Sequence, residues 1–182
     1  MKHSHLVREI VEAVALIIFI ILVVHFVIQS YQVGDPSMQK TFTKGQNVLV
    51  NKMAYLFRSP ERGDVIVFHY PQDTAEDYIK RIIAIPGDKV QIDRTHVWVN
   101  GVQLNEQPYV STPANPIAGT WTLEPDQYFV VSDTRTNGFD SRTWGPLNKQ
   151  FIVGKVVAIF WPLTNLSFIN TFPDVFTAVR SR

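Results

Sequence analysis

The hydrophobic pattern divides the chain into an apolar N-terminal segment and a longer part with short apolar runs. Between residues 10 and 28 every residue is apolar except Glu12 and His25. A helix of this length is about 28 Å long, close to the thickness of the hydrocarbon core of a bilayer. The pattern therefore predicts a transmembrane helix over residues 10–28.

The flanks of this segment favour an uncleaved membrane anchor. The run 13–24 behind a basic start also fits a cleaved signal peptide, but no pair of small residues follows where cleavage would fall. Two basic residues precede the segment, and the next Lys or Arg is Lys40. The positive-inside rule then predicts a single-pass protein of the cell membrane, with residues 1–9 cytoplasmic and residues 29–182 extracytoplasmic.

After the apolar segment, short runs rich in Val, Ile and aromatic residues alternate with Gly, Pro, Asn and Asp. This pattern predicts β-strands separated by turns. The predicted strands cover residues 47–51, 64–70, 78–85, 89–92, 96–99, 127–131 and 154–161. Asn100-Gly101 predicts a type I′ hairpin turn, and the proline-rich segment 103–122 predicts a long excursion between two β regions.

Apolar residues near the C-terminus have the spacing of a short amphipathic helix. They are Phe168, Phe172, Val175, Phe176 and Val179. A helix that caps the core and a helix that touches a membrane fit this spacing equally well.

Composition narrows the classes of function. The 17 basic and 16 acidic residues give a net charge of +1, so no basic footprint indicates nucleic acid as a partner. The absence of cysteine excludes thiol nucleophiles, disulfides and thiolate zinc sites. The histidines do not have the H-E-x-x-H spacing of a zinc site, and we expect neither a metal nor another cofactor.

Without cysteine, a nucleophile has to be Ser, Thr, Lys or a carboxylate. No G-x-S-x-G elbow is present. A Ser-His-Asp arrangement stays open, since His69 and His96 are available, although each lies in a strand-like run. The alternative base is a lysine, whose pKa has to fall from about 10.4 toward about 8 before it accepts a proton at neutral pH.

Lys80 has the surroundings that such a base needs. If side chains alternate along the strand 78–85, Lys80 shares a face with Tyr78, Ile82 and Ala84. Burial among apolar groups lowers the pKa of an amine. The pattern alone, however, favours a lysine at a strand end whose tip reaches solvent.

Four segments in one order resemble the sequence boxes of bacterial type I signal peptidases, in their short Gram-positive-like form. The first is Ser37-Met38 followed by Thr41-Phe42. The others are "RGDVIVFHYP" at 62–71, "DYIKRIIAIPGDKV" at 77–90 and "SDTRTNGFDSRTWGP" at 132–146, and "GKVVAIFWPL" follows at 154–163. One box alone is weakly specific, but four in order behind one transmembrane segment are highly specific.

The resemblance implies a membrane-anchored serine endopeptidase that removes signal peptides from exported preproteins. Ser37 would be the nucleophile, Lys80 the general base, and the Ser37 backbone N–H an oxyanion donor. The implied fold is a mainly β catalytic domain of coiled antiparallel sheet on one N-terminal transmembrane α-helix. Its partners would be signal peptides and the lipid bilayer, with no cofactor; the sequence leaves the oligomeric state open.

The resemblance also implies a peptide site. Such enzymes bind the substrate as an added strand, whose alternate small side chains enter two shallow pockets. The residues that resemble the pocket lining are Val33, Met38, Phe42, Val67, Tyr78 and Ile79, and ordinary core packing fits each of them as well. The residues that resemble the supporting polar groups are Asp133, Asp140 and Arg142, as a charge-assisted pair near the dyad or as a plain surface salt bridge.

Three residues depart from the family pattern. Lys40 stands where the family usually has proline, and Gly138 replaces a serine that hydrogen-bonds the catalytic lysine in many members. Asp35 stands where some members contribute a hydroxyl to the oxyanion hole, and a carboxylate there would repel the developing charge unless it points away.

These departures leave open the alternative that the protein is an inactive relative, which binds peptides or partners without cutting them. A self-cleaving serine–lysine repressor of similar catalytic fold would need an N-terminal DNA-binding domain, and the apolar segment occupies that place.

Overall fold

A computed structural model of the chain describes residues 2–111, 115–136 and 138–179. Helix α1 (Lys2–Val27) begins eight residues before the predicted segment and ends one residue before its end. An exposed i,i+4 ion pair between Arg8 and Glu12, 2.7 Å long, joins the polar start of the helix to its apolar part. The stretch Val7–Val27 is long and apolar enough to cross a membrane.

The rest of the described chain is mainly β. The strands are β1 (Ile28–Gln32), β2 (Asn47–Asn51), β3 (Val65–Tyr70), β4 (Asp73–Ala84), β5 (Lys89–Ile92), β6 (Val97–Val99), β7 (Val102–Gln103), β8 (Gly119–Thr122), β9 (Gln127–Val131), β10 (Leu147–Asn148), β11 (Ile152–Trp161) and β12 (Ser167–Phe168). Two short helices, α2 (Ser141–Trp144) and α3 (Pro173–Phe176), lie among them.

The strands form two antiparallel sheets. The larger has the order β1-β2-β11-β3-β4-β9-β10, with β12 on β11, and the smaller has the order β7-β6-β5-β8. Register shifts interrupt the pairing of β11 with β2 and β3, and of β4 with β3 and β9. Such bulges bend strands and increase their twist, which gives a coiled sheet. The predicted fold class is confirmed.

The strand predictions succeed for strands that bury at least one face, and they fail for segments in which neither face is buried. Strands β2, β5 and β9 have the predicted bounds. β4 begins five residues early, because the exposed segment 73–77 pairs with the end of β3 although it carries no apolar alternation. β8 lies inside the predicted excursion and pairs with β5, so that segment is only partly irregular.

Two smaller expectations have opposite outcomes. Asn100 and Gly101 both have positive φ, at 53° and 82°, which confirms the type I′ turn between β6 and β7. The continuous C-terminal amphipathic helix is wrong, since α3 is only four residues long and Phe168, on β12, is 89% exposed. Phe176 and Val179 are buried in the core, as the capping interpretation requires.

A buried ion pair joins β4 to the segment after β9. Arg81 donates to both carboxylate oxygens of Asp133, at 3.0 and 2.9 Å, and both side chains are fully buried. Arg81 Nη1 donates to the carbonyl oxygens of Gly63 and Asn170 at 2.9 and 3.1 Å, and Nη2 also donates to the Thr41 hydroxyl at 3.0 Å. The guanidinium also lies 4.7 Å from the ring centroid of Tyr109. Burial of this charge is thus matched by a full set of acceptors.

Gly63 permits this arrangement. Its φ is +90°, and a Cβ added there would lie 2.0 Å from the carbonyl oxygen of Thr171. Because the backbones approach so closely, the turn before β3 requires glycine.

We expect Asp133→Ala to lower the free energy of unfolding by about 3–5 kcal/mol, because it leaves a buried guanidinium without its counter-ion. The matched control is Asp77→Ala, which removes the partly exposed pair with His69 and should cost less than about 1 kcal/mol. Urea unfolding of both variants in detergent micelles, followed by tryptophan fluorescence, measures the difference. Equal losses would contradict the stabilising role assigned to the Arg81–Asp133 pair.

Candidate active site

Ser37 lies in a single 3₁₀ turn, Pro36–Met38, that follows β1. Its side chain is buried, with 1% exposure. The Thr134 backbone N–H donates to the Ser37 carbonyl at 2.8 Å, and the Thr134 hydroxyl donates to the Pro36 carbonyl at 2.8 Å. The segment after β9 therefore fixes the backbone of this turn.

Lys80 lies on β4, between β3 and β9 in the larger sheet. It is 1% exposed, and its Nζ donates to the Ser37 Oγ at 2.6 Å. The amine also lies 5.7 Å from the ring centroid of Tyr78. The structure thus brings together a buried hydroxyl and a buried amine that are 43 residues apart in sequence.

The environment of Lys80 favours its neutral form. Burial lowers the pKa of the amine from the ordinary lysine value, because charging a group away from water is costly. The charge of Asp35 acts in the opposite direction and raises this pKa, as do the more weakly acting charges of Asp140 and Asp133. The direction that burial sets is the one a general base needs.

The other predicted polar residues form two separate buried pairs. Asp140 accepts from Arg142 Nε at 2.8 Å and Nη2 at 2.7 Å, and it also accepts from the Ser132 backbone N–H at 2.9 Å. Arg142 donates to the Arg135 carbonyl at 2.8 Å. Hydrogen bonds to Arg142 and to backbone groups hold the pKa of Asp140 below its usual value against the effect of burial. Because the Asp140 and Asp133 pairs are both buried, the surface salt bridge interpretation is wrong.

A cavity of about 270 Å³ opens beside Ser37. Of the six residues predicted to line a pocket, five do so: Val33, Met38, Phe42, Tyr78 and Ile79. Val67 lies in the core cluster beneath them and is not among the lining residues. The lining also includes the carboxylates of Asp35, Glu76 and Asp77, which the sequence patterns did not single out for this role.

Two of the three residues that depart from the family pattern have their contacts away from the dyad. The Lys40 amine donates to the carbonyl oxygens of Gln107 and Val110, so its charge lies on the excursion after β7. A side chain at position 138 would first meet Ile117, with the added Cβ 3.2 Å from its Cδ1.

Ser132 is a further polar group on the Lys80 side of the sheet. Arg81 pairs with Val131, so continued alternation places the side chains of Lys80 and Ser132 on the same face. The Ser132 hydroxyl is buried and has no hydrogen-bond partner among the described residues. Sequence reasoning missed it because the register of β4 against β9 is needed to find it.

The third departure, Asp35, points into the site. Its Oδ1 accepts from the Ser37 backbone N–H at 2.6 Å, as the N-cap of the 3₁₀ turn. A carboxylate at this position is expected to repel the developing charge unless it points away, and Asp35 does not point away.

Comparison with known proteins identifies the family of the chain. The family model described as signal peptidase, peptidase S26, matches residues 6–161. Signal peptidase IB of Staphylococcus aureus strain MRSA252 is 30% identical over 183 residues, which cover 91% of this chain and 94% of that protein. Signal peptidase I of Bacillus caldolyticus is 35% identical over 156 residues, which cover 79% of this chain and 85% of that protein.

A crystal structure of a signal peptidase I from Enterococcus faecalis V583 superposes with a TM-score of 0.45 and 27% identity, covering 54% of this chain and 97% of that one. The family match extends over most of the chain and includes both Ser37 and Lys80. The chain therefore belongs to the signal peptidase family, peptidase S26.

Proposed function

We propose that this protein is a membrane-anchored serine endopeptidase that removes signal peptides from exported preproteins, with Ser37 as nucleophile and Lys80 as general base. The observation that carries the proposal is the buried 2.6 Å hydrogen bond between the Lys80 Nζ and the Ser37 Oγ. Family membership supports the reaction and the class of substrate. A relative that only binds peptides would have no use for a buried amine placed against a buried hydroxyl.

In the acylation step, the Ser37 oxygen forms a bond to the scissile carbonyl carbon while the Lys80 amine takes the hydroxyl proton. The carbonyl oxygen becomes an oxyanion. When the bond to the leaving nitrogen breaks, the Lys80 ammonium returns the proton to that nitrogen, and the new chain end leaves as an amine. The signal peptide stays attached to Ser37 as an ester.

In the deacylation step, Lys80 takes a proton from water while the water oxygen attacks the ester carbonyl. The bond to the Ser37 oxygen then breaks, and Lys80 returns the proton to that oxygen. The signal peptide leaves with a free carboxyl group and the dyad is restored. In both steps the amine has to start uncharged, and its burial supports this.

The cavity beside Ser37 supports binding of small side chains. Its apolar lining from Val33, Met38, Phe42 and Ile79 suits short apolar groups, and its volume of about 270 Å³ has room for more than one of them. An extended peptide directs alternate side chains to one side, so two small residues at alternate positions can enter this lining together. We assign these four residues and Tyr78 to substrate binding.

The anchor completes the proposal. We propose that α1 crosses the membrane with residues 1–9 in the cytoplasm, and that residues 29–182 form the extracytoplasmic catalytic domain. The first residue of β1 directly follows α1, so the cavity is close to the end of the span. Exported preproteins also lie at the membrane, and tethering both partners there raises their effective concentration.

We expect Ser37→Ala and Lys80→Ala each to reduce preprotein processing by about a thousandfold or more, since members of a catalytic unit fail together. Lys80→Arg should fail as well, because a guanidinium stays charged. Processing of a preprotein by the purified full chain in detergent measures this, with thermal unfolding to verify folding. Lys89→Ala, on the exposed side of β5, serves as the control and should keep full activity. Retained processing by Lys80→Ala would rule out the dyad.

The rate should rise with pH on the acidic side, because only the neutral amine accepts the Ser37 proton. Burial lowers the pKa of Lys80, so the rise should be complete well below the ordinary lysine value of about 10.4. Measurement of kcat/KM for a peptide substrate between about pH 6 and pH 9 reveals this limb. A flat profile over that range would contradict a lysine base.

The absence of cysteine allows a clean test of orientation. We expect a single cysteine introduced as Lys89→Cys to react with a membrane-impermeant maleimide in cells whose wall or outer membrane has been removed and whose cell membrane is intact. The matched variant His5→Cys should react only after the membrane is permeabilised, because its N-terminal segment lies inside. The reverse labelling pattern would contradict the proposed orientation.

A further inference from the structure

The carboxylate of Asp35 lies at the centre of the proposed site without a role in the mechanism above. Its Oδ1 accepts from the Ser37 backbone N–H at 2.6 Å, and Asp35 lines the cavity that would receive the peptide. This N–H is also the oxyanion donor that the resemblance to signal peptidases implies. The inference below therefore rests on the proposed function.

The two demands on this N–H compete with each other. A carboxylate is a charged acceptor and binds an amide N–H more strongly than the neutral carbonyl of an arriving peptide does. The N–H can point its hydrogen at only one strong acceptor at a time, so the Asp35 oxygen has to leave before an oxyanion can take its place. A negative charge that stays nearby would also repel the oxyanion as it forms.

Asp35 also opposes the reaction at Lys80, the other member of the dyad. Among the charges that influence the Lys80 amine, that of Asp35 has the largest effect, and it raises the pKa of the amine. It thereby favours the ammonium form, which cannot accept the Ser37 proton. The carboxylate thus opposes the reaction at the nucleophile's amide and at the base.

We propose that Asp35 is an inhibitory positioning residue of this site: its carboxylate occupies the Ser37 amide in the resting enzyme and has to be displaced by the substrate before acylation. The bound peptide, lying in the cavity that Asp35 lines, provides the displacement. The intact site is therefore held below the turnover that its dyad geometry permits.

The capping role of Asp35 can be separated from its inhibitory role. An N-cap needs an acceptor oxygen, and Asn provides one without a charge. Asp35→Asn therefore keeps the turn Pro36–Met38 while it weakens the competition for the N–H. Asp35→Ser also caps the turn, and its hydroxyl is able to donate to an oxyanion.

The chain contains a matched control. Asp93 accepts from the Thr95 backbone N–H at 2.7 Å, with the same two-residue spacing, in the exposed turn between β5 and β6. Asp93→Asn makes the same chemical change away from the cavity and should leave the kinetics unchanged.

The experiment compares the full chain in detergent with Asp35→Asn, Asp35→Ser and Asp93→Asn, using one preprotein substrate. Loss of a whole oxyanion donor costs about 10²- to 10³-fold in kcat, so partial release of one predicts a rise in kcat of roughly tenfold for Asp35→Asn. KM should change by less than about twofold. The acidic limb of the pH–rate profile should also move to lower pH in both Asp35 variants, since the charge that favours the ammonium form is gone.

A merely structural cap predicts a different result: unchanged kcat and an unmoved pH limb in Asp35→Asn. That result, or a fall in kcat in a variant that unfolds at the wild-type temperature, would overturn the inference. A second readout is inhibition by a peptide aldehyde, which forms an oxyanion on Ser37. It should bind the Asp35→Asn enzyme more tightly than wild type, in proportion to the rise in kcat.

Failure of the proposed function is distinguishable from failure of this inference. If Ser37→Ala retains processing, the dyad itself is wrong whatever Asp35 does. If Ser37→Ala abolishes processing and Asp35→Asn does not exceed wild type, the dyad stands and the inhibitory role of Asp35 is refuted. The double variant Asp35→Asn with Ser37→Ala should be inactive.

Discussion

The site depends on a primary amine that is kept out of water in the middle of a β-sheet. Lys80 lies on β4 between β3 and β9, is 1% exposed and contacts the Ser37 side chain. A buried ammonium without a paired carboxylate is costly, so the free energy of the fold favours the neutral amine. The same packing that buries Lys80 holds its nitrogen 2.6 Å from the Ser37 oxygen.

The neighbouring residue shows the opposite solution to the same problem. Arg81 points to the other face of β4, is equally buried, and pairs with Asp133 through its Nε and Nη2 groups. A guanidinium is not deprotonated in proteins, so it needs such a partner, whereas an amine can lose its proton. The alternation of one strand therefore places a charge-paired guanidinium and an amine of lowered pKa back to back.

The segment after β9 connects the surroundings of these two basic side chains. Asp133 binds Arg81, Thr134 fixes the backbone of the Ser37 turn, and the buried Asp140–Arg142 pair folds the segment on itself. Rigid supports of this kind keep a nucleophile and its base within the small tolerance that catalysis allows. Residues of the sequence box 132–146 thus hold the Arg81 guanidinium and the Ser37 turn in place.

Much of this fold could be predicted from the sequence, because several strands bury one face. β5 alternates polar and apolar residues, β9 carries a clear apolar run, and the residue types of Asn100-Gly101 are enough to predict the turn. The exposed first half of β4 could not be predicted, since its pairing leaves no hydrophobic alternation. The α1 boundaries also differ, because the polar residues at its start continue the helix without an apolar signal.

The site was predictable only in part, for a similar reason. The pattern around Lys80 favoured a side chain that reaches solvent, and family resemblance was needed to pair it with Ser37. Burial of the amine results from packing by distant segments, which no local pattern contains. The direction of the Asp35 carboxylate depends on the turn that it caps, and the partner of Arg81 lies 52 residues away.

The protonation state of the Lys80 amine tests the account most directly. Proteins labelled with ¹³C at the lysine Cε allow each amine to be titrated by NMR in detergent micelles, and comparison with Lys80→Arg assigns its resonance. We expect that one resonance to titrate well below the other lysines. Titration of Lys80 together with the others, near the ordinary pKa of about 10.4, would contradict the account.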